Sequence, residues 1–352
     1  MTISIIGAGP GGLTCARILQ KHGIPVTVYD RDPHPRARNQ GGTLDLHADD
    51  GQLVLREAGL LDEFFALARP EGQEMRKLDP AGNLVEHYVP AEGELFKPEI
   101  DRGQLRGLLL DSLEPGTVRW GSGLEKVEAP GVLRFADGAT VETDLVIGAD
   151  GAWSRVRPAV SAAVPEYSGI TFLEAWFDDV ENAHPELAAL VGQGSAMAAD
   201  GNRCLFAQRN SGDHIRVYVI QRLPADWVGS RGTPELRAGL LDAFSGWSPS
   251  MLRMITDNDG PYVDRPLYVL PVPHTWEHTP SVTLLGDAAH LMPPLGVGVN
   301  LAMLDACELA LALAGSSSFV EAVEVYEATM LPRSEKFARQ LENGAEGLLE
   351  VD

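Results

Sequence analysis

Hydrophobic and polar residues alternate along this chain in two patterns, and the first pattern occupies both ends of the sequence. The apolar runs 2–6, 24–29 and 282–285 predict buried β-strands. Helical spacing of apolar residues predicts helices at 13–22, directly after the first strand, and at 300–313, after the last strand. Strands that alternate with helices are typical of a parallel sheet, so we expect an α/β domain assembled from both ends of the chain.

The second pattern covers the middle of the chain, where strand-like runs are separated by polar turns. These runs predict a hairpin, four further strands and one helix, at 75–89, 170–177, 203–207, 215–221, 262–269 and 234–244. We expect an antiparallel sheet that covers the α/β domain, with ligands bound at the interface. Elsewhere we expect a helix at 104–113, a small meander over 118–142 and two C-terminal helices within 319–349, separated by Pro332.

Composition narrows the class of protein. The chain has 352 residues, of which 44% are hydrophobic and 22% charged, as in a soluble globular protein of one large or two interwoven domains. Its formal net charge of −22 argues against nucleic acid or an anionic membrane surface as a partner. Cys15, Cys204 and Cys307 are too far apart for a disulfide framework or a zinc site. Because no apolar run reaches membrane-spanning length and the first strand begins at residue 2, we expect a cytoplasmic protein without a signal peptide.

The first candidate site is a glycine-rich turn between the first strand and the first helix. Gly7, Gly9 and Gly12 fit the spacing G-x-G-x-x-G, and Asp30 closes the second strand. This arrangement lets backbone amides approach a pyrophosphate and supplies a carboxylate for ribose hydroxyls. It therefore predicts dinucleotide binding, and it leaves open whether the dinucleotide is NAD or FAD.

Two later strands also end in an acidic residue beside glycine. The residues concerned are Asp150, Gly151, Ser154 and Arg157 after one strand, and Gly286, Asp287, Pro294, Gly296, Gly298, Val299 and Asn300 after the other. At the carboxyl ends of parallel strands such groups face a ligand, and a helix N-terminus beside them suits a polyol or an anion. Taken singly, each junction could also be an ordinary turn.

Basic residues stand out in this acidic sequence at two places. Arg31 and Arg38 lie ahead of a glycine turn and of a short polar strand that contains Asp45. Arg102 and Arg106 are four residues apart, so we expect both on one face of a helix. They could contact a phosphate or a flavin, although solvated surface arginines are the commoner explanation for such a pattern.

Together, the motifs resemble the single-component flavoprotein monooxygenases of the para-hydroxybenzoate hydroxylase type. The stretches that carry the resemblance are 7–12, 148–157 and 286–294, which span nearly the whole chain. The stretches 41–47, 98–102 and 287–294 are similar to the tetracycline-inactivating members of that family. The resemblance implies a Rossmann-like FAD-binding domain with C-terminal helices and an interleaved antiparallel substrate domain. It assigns 1–74, 101–166 and 271–352 to the first domain, and 75–100 and 167–270 to the second.

The resemblance also implies an activity. It predicts an FAD-dependent monooxygenase that consumes NADPH and O₂ and hydroxylates an aromatic or polyketide-like molecule through a C4a-hydroperoxyflavin, with tetracycline as one candidate substrate. We expect a monomer. Two alternatives are an NAD-dependent dehydrogenase that uses only the N-terminal motif, and a non-catalytic flavoprotein that sequesters a small ligand.

The resemblance also implies roles for individual residues. Asp30 would hold the adenosine ribose and Asp287 the ribityl chain. Arg102 would contact the phosphate or ribityl side of FAD, Asp45 would lie near the flavin ring, and Pro294 would line its reacting face. The remaining cofactor-binding residues would be Gly7, Gly9, Gly12, Arg31, Arg38, Asp150, Gly151, Gly286, Gly296, Gly298, Val299 and Asn300, with Arg38 meeting NADPH or a displaced flavin and no residue singled out as catalytic.

The chain departs from the family pattern at three places. Asp30 stands where glutamate is usual, and the loop after Pro294 is one residue shorter than usual, with Val297 in place of glutamine. The positions that would contact tetracycline are Glu174, Ser195 and Arg216 in this chain, and none retains the family residue. These departures weaken tetracycline as the substrate and leave flavin binding expected.

Overall fold

A computed structural model of the chain describes residues 2–227, 232–294 and 296–348, with side chains described as far as residue 341. The described strands are β1 (Ile3–Ile6), β2 (Thr27–Tyr29), β3 (Thr43–Asp45), β4 (Met75–Leu78), β5 (Leu84–Tyr88), β6 (Glu99–Asp101), β7 (Val118–Arg119), β8 (Leu124–Ala129), β9 (Val132–Phe135), β10 (Thr140–Glu142), β11 (Leu145–Gly148), β12 (Glu166–Phe177), β13 (Ser195–Asp200), β14 (Arg203–Asn210), β15 (His214–Arg222), β16 (Val263–Val269) and β17 (Val282–Leu284). The described α-helices are α1 (Pro10–Lys21), α2 (Gly51–Ala58), α3 (Leu61–Leu67), α4 (Arg102–Asp111), α5 (Val180–Ala183), α6 (Pro185–Val191), α7 (Thr233–Ala243), α8 (Pro249–Thr256), α9 (Asp287–His290), α10 (Gly298–Gly315) and α11 (Phe319–Leu348).

A parallel sheet organises the two ends of the chain. Its strand order is β17-β11-β1-β2-β7, so the predicted first and last strands lie in one sheet. β1 and β11 are fully buried, as strands covered on both faces should be. The meander predicted over 118–142 is wrong in one part, because β7 pairs with β2 in the parallel sheet and only β8, β9 and β10 form the small antiparallel sheet.

A seven-stranded sheet covers the parallel domain, with the order β16-β12-β15-β14-β13-β4-β5. The hairpin β4–β5 belongs to it, and β13 pairs with β4 in parallel. We did not predict β13, because its sequence of alanines and polar residues lacks the β-branched signal of a strand. One face of the sheet packs on α6, α7 and α8 through residues such as Leu173, Val217 and Leu240. The other face is turned toward the parallel domain.

The C-terminal half of the parallel domain is helical. α10 begins at Gly298, two residues before the predicted start, and it passes a length-and-hydropathy test for a membrane-spanning helix. Half of it is buried, however, and it packs against α1, α2 and α11 as a core helix does. The predicted break at Pro332 is wrong, because α11 continues through it as one helix. Proline removes one backbone hydrogen bond, and the buried Tyr326 and Met330 hold the helix to the core just before it.

Candidate active site

The three motif-bearing loops meet at one edge of the parallel sheet. β1, β11 and β17 are neighbours with the same direction, so Gly7, Asp150 and Asp287 all follow carboxyl ends of strands. Gly7 has a φ of +108°, and a Cβ placed there would lie 2.3 Å from the carbonyl oxygen of Ala149. Only glycine allows the first and second loops to come so close. The expectation that distant motifs converge is therefore met by their positions.

Arg157 joins the second loop to the third. Its Nε donates to the carbonyl oxygen of Ala288 at 2.8 Å, and its Nη2 donates to the carbonyl oxygens of Asp287 at 3.1 Å and Ala152 at 2.9 Å. The side chain is buried, and burial lowers its pKa despite the nearby carboxylates of Asp150 and Asp287. A buried guanidinium that satisfies three carbonyl oxygens fixes both loops relative to each other.

The end of β2 forms a polar corner beside the glycine-rich turn. The Asp30 carboxylate accepts hydrogen bonds from the amides of Ala8 at 2.7 Å and Asp32 at 2.8 Å, and two lone pairs remain for a ribose hydroxyl. Arg106 donates from Nε to the carbonyl oxygen of Ala8 at 2.9 Å, and its buried Nη2 has no hydrogen-bond partner among the described residues. Arg31 is exposed here.

Arg38 and Arg102 lie on the solvent side of this corner. Arg38 is largely exposed and pairs with Asp32 at 3.0 Å. Both arginines lie on α4, four residues apart. Arg102 is exposed at the start of the helix, whereas Arg106 is buried, so the two side chains differ in environment. Helix α4 begins at Arg102, which places this residue beside Gly41 and within electrostatic reach of Asp287, while Arg106 turns inward.

The carboxylates of the second and third loops differ in environment. Asp150 accepts from the Ser154 hydroxyl at 2.5 Å and from the Arg155 amide at 2.6 Å, and burial nevertheless raises its pKa. The surrounding protein also raises the pKa of Asp287, but this side chain is exposed to solvent and accepts no hydrogen bond from the described residues. Desolvation by the surrounding protein is the main cause of this rise in pKa, and the carboxylate remains open toward a ligand.

The loop before α10 lies against the strand that contains Asp45. A Cβ placed at Gly296 would be 3.9 Å from both carboxylate oxygens of Asp45, which also contacts His47 Nε2 at 3.1 Å. The Asn300 side chain donates to the carbonyl oxygen of Asp45 at 2.9 Å and accepts from the His47 amide at 3.0 Å. Asn300 therefore ties this strand to the first turn of α10, whose amides have no carbonyl partner within the helix.

Two of the three predicted substrate residues contact each other on the inner face of the large sheet. Arg216 is 1% exposed, and its Nη1 lies 3.3 Å from Glu174 Oε1. Ser195 shares the cross-strand row of Arg216, with Gln208 between them, so it lies on the same face about 10 Å away. The structure thus places Glu174 and Arg216 as one pair and Ser195 apart from it.

Sequence reasoning missed the aromatic residues around this pair. The Arg216 guanidinium lies 3.6 Å from the centre of the Trp176 ring, and the Tyr218 ring packs against Phe172 and Phe206 on the same face. Alternation along β12, β14 and β15 was the available signal, because every second residue there faces the parallel domain. The outer end of this face opens into a cavity of about 560 Å³ that reaches Gly41 and Asp101.

These surroundings fit a bound FAD. The glycine-rich turn is open on its outer side, where a Cβ at Gly9 would meet nothing within 4 Å. A free carboxylate at Asp287 suits a polyhydroxylated chain, and the first turn of α10 offers amides beside Asp45. The fold and the site together define a flavin-dependent oxidoreductase in which the seven-stranded sheet covers the cofactor site.

Comparison with known proteins specifies the family. Two family models match the chain, an NAD(P)-binding Rossmann-like domain over residues 5–50 and an FAD binding domain over residues 274–340. The chain is 34% identical to monooxygenase penA of Penicillium thymicola, over 95% of this chain and 92% of that protein. It is 30% identical to 3-amino-4-hydroxybenzoate 2-monooxygenase of Streptomyces cremeus, over 98% and 86% of the two chains.

Solved structures agree on the fold. Klebsiella pneumoniae HpxO, complexed with FAD and uric acid, superposes with a TM-score of 0.85 at 23% identity, covering 100% of this chain and 90% of that one. Tetracycline destructase Tet(51) superposes with a TM-score of 0.70 at 21% identity, covering 96% and 89%. The resemblance to flavoprotein monooxygenases seen in the sequence is confirmed at the level of family, and the likeness to the tetracycline-inactivating members is confirmed at the level of the fold.

The chain belongs to the FAD-dependent monooxygenases. It uses FAD as its cofactor and NADPH as its reductant, as the family resemblance implied. The dehydrogenase and the non-catalytic flavoprotein that we considered as alternatives are therefore wrong as descriptions of this family.

Proposed function

We propose that this enzyme hydroxylates an electron-rich aromatic or polyketide-like molecule bound between the flavin and the inner face of the large sheet. The observation that carries the proposal is the position of Arg216, Trp176 and Tyr218 on that face, where Arg216 and Tyr218 lie beside the turn at Gly41 and Gly42. Aromatic side chains beside a buried cation suit a flat ring that carries a phenolate, an enolate or a carboxylate. Streptomyces cremeus 3-amino-4-hydroxybenzoate 2-monooxygenase, by its name, acts on such a molecule.

The loop geometry supports a cofactor site that we propose residue by residue. We assign Gly7, Gly9 and Gly12 to the pyrophosphate, Asp30 to the adenosine ribose, and Asp287 to the ribityl chain. Arg102 would meet the phosphate or ribityl side, and Pro294 with Asp45 would border the flavin ring. Backbone amides of Gly296, Gly298, Val299 and Asn300 would contact the ring carbonyls. When bound, FAD would accept a hydride from NADPH and activate O₂, of which one atom enters the substrate and the other leaves as water.

The protein's own contribution is orientation, charge and exclusion of water. Arg216 would hold the anionic form of the substrate, which is the form most reactive toward electrophilic oxygen. Glu174 would keep the guanidinium in place, and Ser195 would border the far end of the site. Gly151 and Gly286 would allow close approach of the cofactors, and Asp150 with exposed Arg31 and Arg38 would receive NADPH. A dry, shaped site delays wasteful loss of activated oxygen.

The domain division supports this arrangement. We assign 1–74, 101–166 and 271–352 to the FAD-binding domain, and 75–100 and 167–270 to the substrate-binding domain. The hairpin β4–β5 and the strands β12–β16 lie in the large sheet, whereas β1, β2, β11 and β17 lie in the parallel sheet, which supports these limits. We also propose that the enzyme is a monomer and works in the cytoplasm.

A substrate panel tests the proposal. Holoenzyme would be incubated with tetracyclines, anthraquinones, hydroxylated benzoates and simple phenols while NADPH loss and product mass are measured. We expect at least one compound to stimulate NADPH loss and to gain one oxygen atom. Arg216→Lys should raise the KM of that compound while FAD binding is unchanged. If some compounds bind but none is oxygenated, the proposed hydroxylation of this substrate class would be refuted.

A further inference from the structure

We propose that Asp305, which is remote from the expected path of the cofactor, is a positioning residue for FAD. It holds the turn that presents Asp287, and Arg333 on the C-terminal helix holds Asp305 in turn. The proposal rests on the proposed contact between Asp287 and the ribityl chain. It adds that FAD affinity depends on a buried charge network behind the site.

The network is compact and almost fully enclosed. Asp305 is 1% exposed in the middle of α10. Its Oδ2 accepts from the Gly286 amide at 2.9 Å and from His290 Nε2 at 2.5 Å, and its Oδ1 accepts from Arg333 Nη2 at 2.8 Å. Asp305 thus bonds Gly286, which directly precedes Asp287, and His290, which ends α9 three residues after Asp287.

The turn itself requires this support. Gly286 has φ +57° and ψ −143°, a backbone conformation that essentially only glycine adopts, and a Cβ there would lie 2.9 Å from Ala302 Cβ. The amides of Ala289 and His290 donate back to the carbonyl oxygen of Gly286 at 2.8 and 2.9 Å. A hydrogen bond to the Gly286 amide therefore fixes the direction in which Asp287 leaves the sheet.

The charges make the network costly to break. Burial alone would lower the pKa of His290, but the Asp305 carboxylate outweighs burial and the pKa is raised. Burial alone would raise the pKa of Asp305, but the charges of His290 and Arg333 and the Gly286 amide outweigh it and the pKa is lowered. Both shifts favour the charged forms of the cluster, and removal of one member leaves a buried charge without compensation.

Arg333 extends the network to the C-terminal helix. Its Nη1 contacts Glu308 Oε1 at 2.5 Å while Nη2 contacts Asp305, and these two bonds raise the pKa of the guanidinium against the effect of burial. A guanidinium that donates to two different carboxylates is held in one orientation by them. A side chain of α11 thus determines where the carboxylate of α10 lies.

The test measures binding of FAD to apoprotein, by quenching of flavin fluorescence, for wild type, Asp305→Asn and Arg333→Met. We expect Asp305→Asn to weaken FAD binding roughly ten- to hundred-fold, the range seen when residues that orient a ligand-binding side chain are removed. Arg333→Met should weaken it in the same direction and by less. It also carries the test if Asp305→Asn does not fold.

Glu327→Gln is the matched control. Glu327 is another buried carboxylate that bonds α11 to the core, but its partners are Trp276, His278 and Thr283, and none reaches the turn at Gly286. It should lower the Tm without changing FAD affinity. Equal FAD affinity in Asp305→Asn and Glu327→Gln, at comparable losses of Tm, would show that Asp305 is merely structural.

A double-mutant cycle separates this inference from the function on which it rests. Asp287→Asn should itself weaken FAD binding, and Asp305→Asn should add little in that background, because it acts through Asp287. Full additivity would overturn the positioning role. An Asp287→Asn variant that binds FAD as tightly as wild type would instead overturn the assigned ribityl contact.

Discussion

Arg157 Nε donates a hydrogen bond to the carbonyl oxygen of Ala288 at 2.8 Å, although the two residues are 131 positions apart in the chain. This bond connects a loop that follows β11 to the short helix that begins with Asp287. Each loop alone is an ordinary strand-to-loop junction. Their fixed separation is what allows one cofactor to contact both.

Removal of the Arg157 side chain should loosen the site. Arg157→Met leaves the carbonyl oxygens of Ala152, Asp287 and Ala288 without their buried donor, so we expect a loss of about 2–3 kcal/mol in the free energy of unfolding. FAD affinity should fall as well. Urea unfolding and FAD titration measure the two effects. Arg155→Met, at an exposed neighbour, serves as the control, and an equal effect there would refute the assignment.

Two glycines of the first motif should respond differently to alanine. In Gly7→Ala the new methyl would lie 2.3 Å from the Ala149 carbonyl oxygen, so both stability and FAD binding should be lost. Gly9 has φ −83° and open space around its Cβ, so Gly9→Ala should fold normally yet block close approach of the pyrophosphate. Circular dichroism melts and FAD titration compare the variants. Normal FAD binding by Gly9→Ala would place the pyrophosphate elsewhere.

The buried pair on the substrate face should show strong coupling. Arg216→Met leaves the buried Glu174 with the exposed Arg265 as its one remaining ion-pair partner in the described part of the chain, and we expect a loss on the order of 3 kcal/mol in the free energy of unfolding. Adding Glu174→Gln should restore part of that stability, because the uncompensated charge is then absent. Urea unfolding of the two single variants and the double variant measures the coupling. Simple additivity would mean that the two side chains do not act as a pair.

Glu99 should make stability depend on pH. Burial raises the pKa of this carboxyl to about 7, with Asp45 adding to the rise and a hydrogen bond from Thr43 opposing it. Its folded pKa lies above its unfolded value, so the unfolded chain loses this proton first. Stability should therefore fall as pH rises from about 4.5 to about 7, and it should stay at the lower level above that window.

Glu99→Gln removes this dependence. Relative to wild type, the variant should gain up to about 3 kcal/mol between the acidic and the neutral end of the window. Denaturant midpoints at several pH values provide the comparison. Glu71→Gln, at an exposed position nearby, should leave the wild-type profile unchanged. A Glu99→Gln profile parallel to that of wild type would mean that the carboxyl is already ionised at acidic pH.

The sequence predicts the architecture well where its signals are local. The turn at Gly7, the acid at Asp30 and the strands that end at Gly148 and before Gly286 follow from apolar periodicity and glycine spacing. β13 escapes prediction because its strand identity comes from its neighbours β4 and β14, not from its own residues. Pro332 is misread for a similar reason, since tertiary contacts keep α11 continuous.

Site residues are less accessible from the sequence when their role depends on a distant partner. The spacing of Arg102 and Arg106 predicts one helix face for both. Arg102 is nevertheless exposed, whereas Arg106 is buried and bonds the carbonyl oxygen of Ala8. Asp305 sits in an apolar helical run with no motif to mark it, and only the fold brings it to Gly286 and His290. The family resemblance points to Glu174 and Arg216, whereas the contact of Arg216 with Trp176 follows only from the register of the sheet.

The order of the segments around the cofactor also constrains how the holoenzyme is made. The glycine-rich turn at Gly7 is synthesised first. The turn that presents Asp287 is held by Asp305, which is itself held by Arg333, much later in the sequence. A nascent chain whose residue 333 is still inside the ribosome lacks the hydrogen bond from Arg333 to Asp305, even if its first strands have already formed. We therefore expect flavin to be captured tightly only after residue 333 has left the ribosome, and chains truncated before that residue to bind flavin weakly.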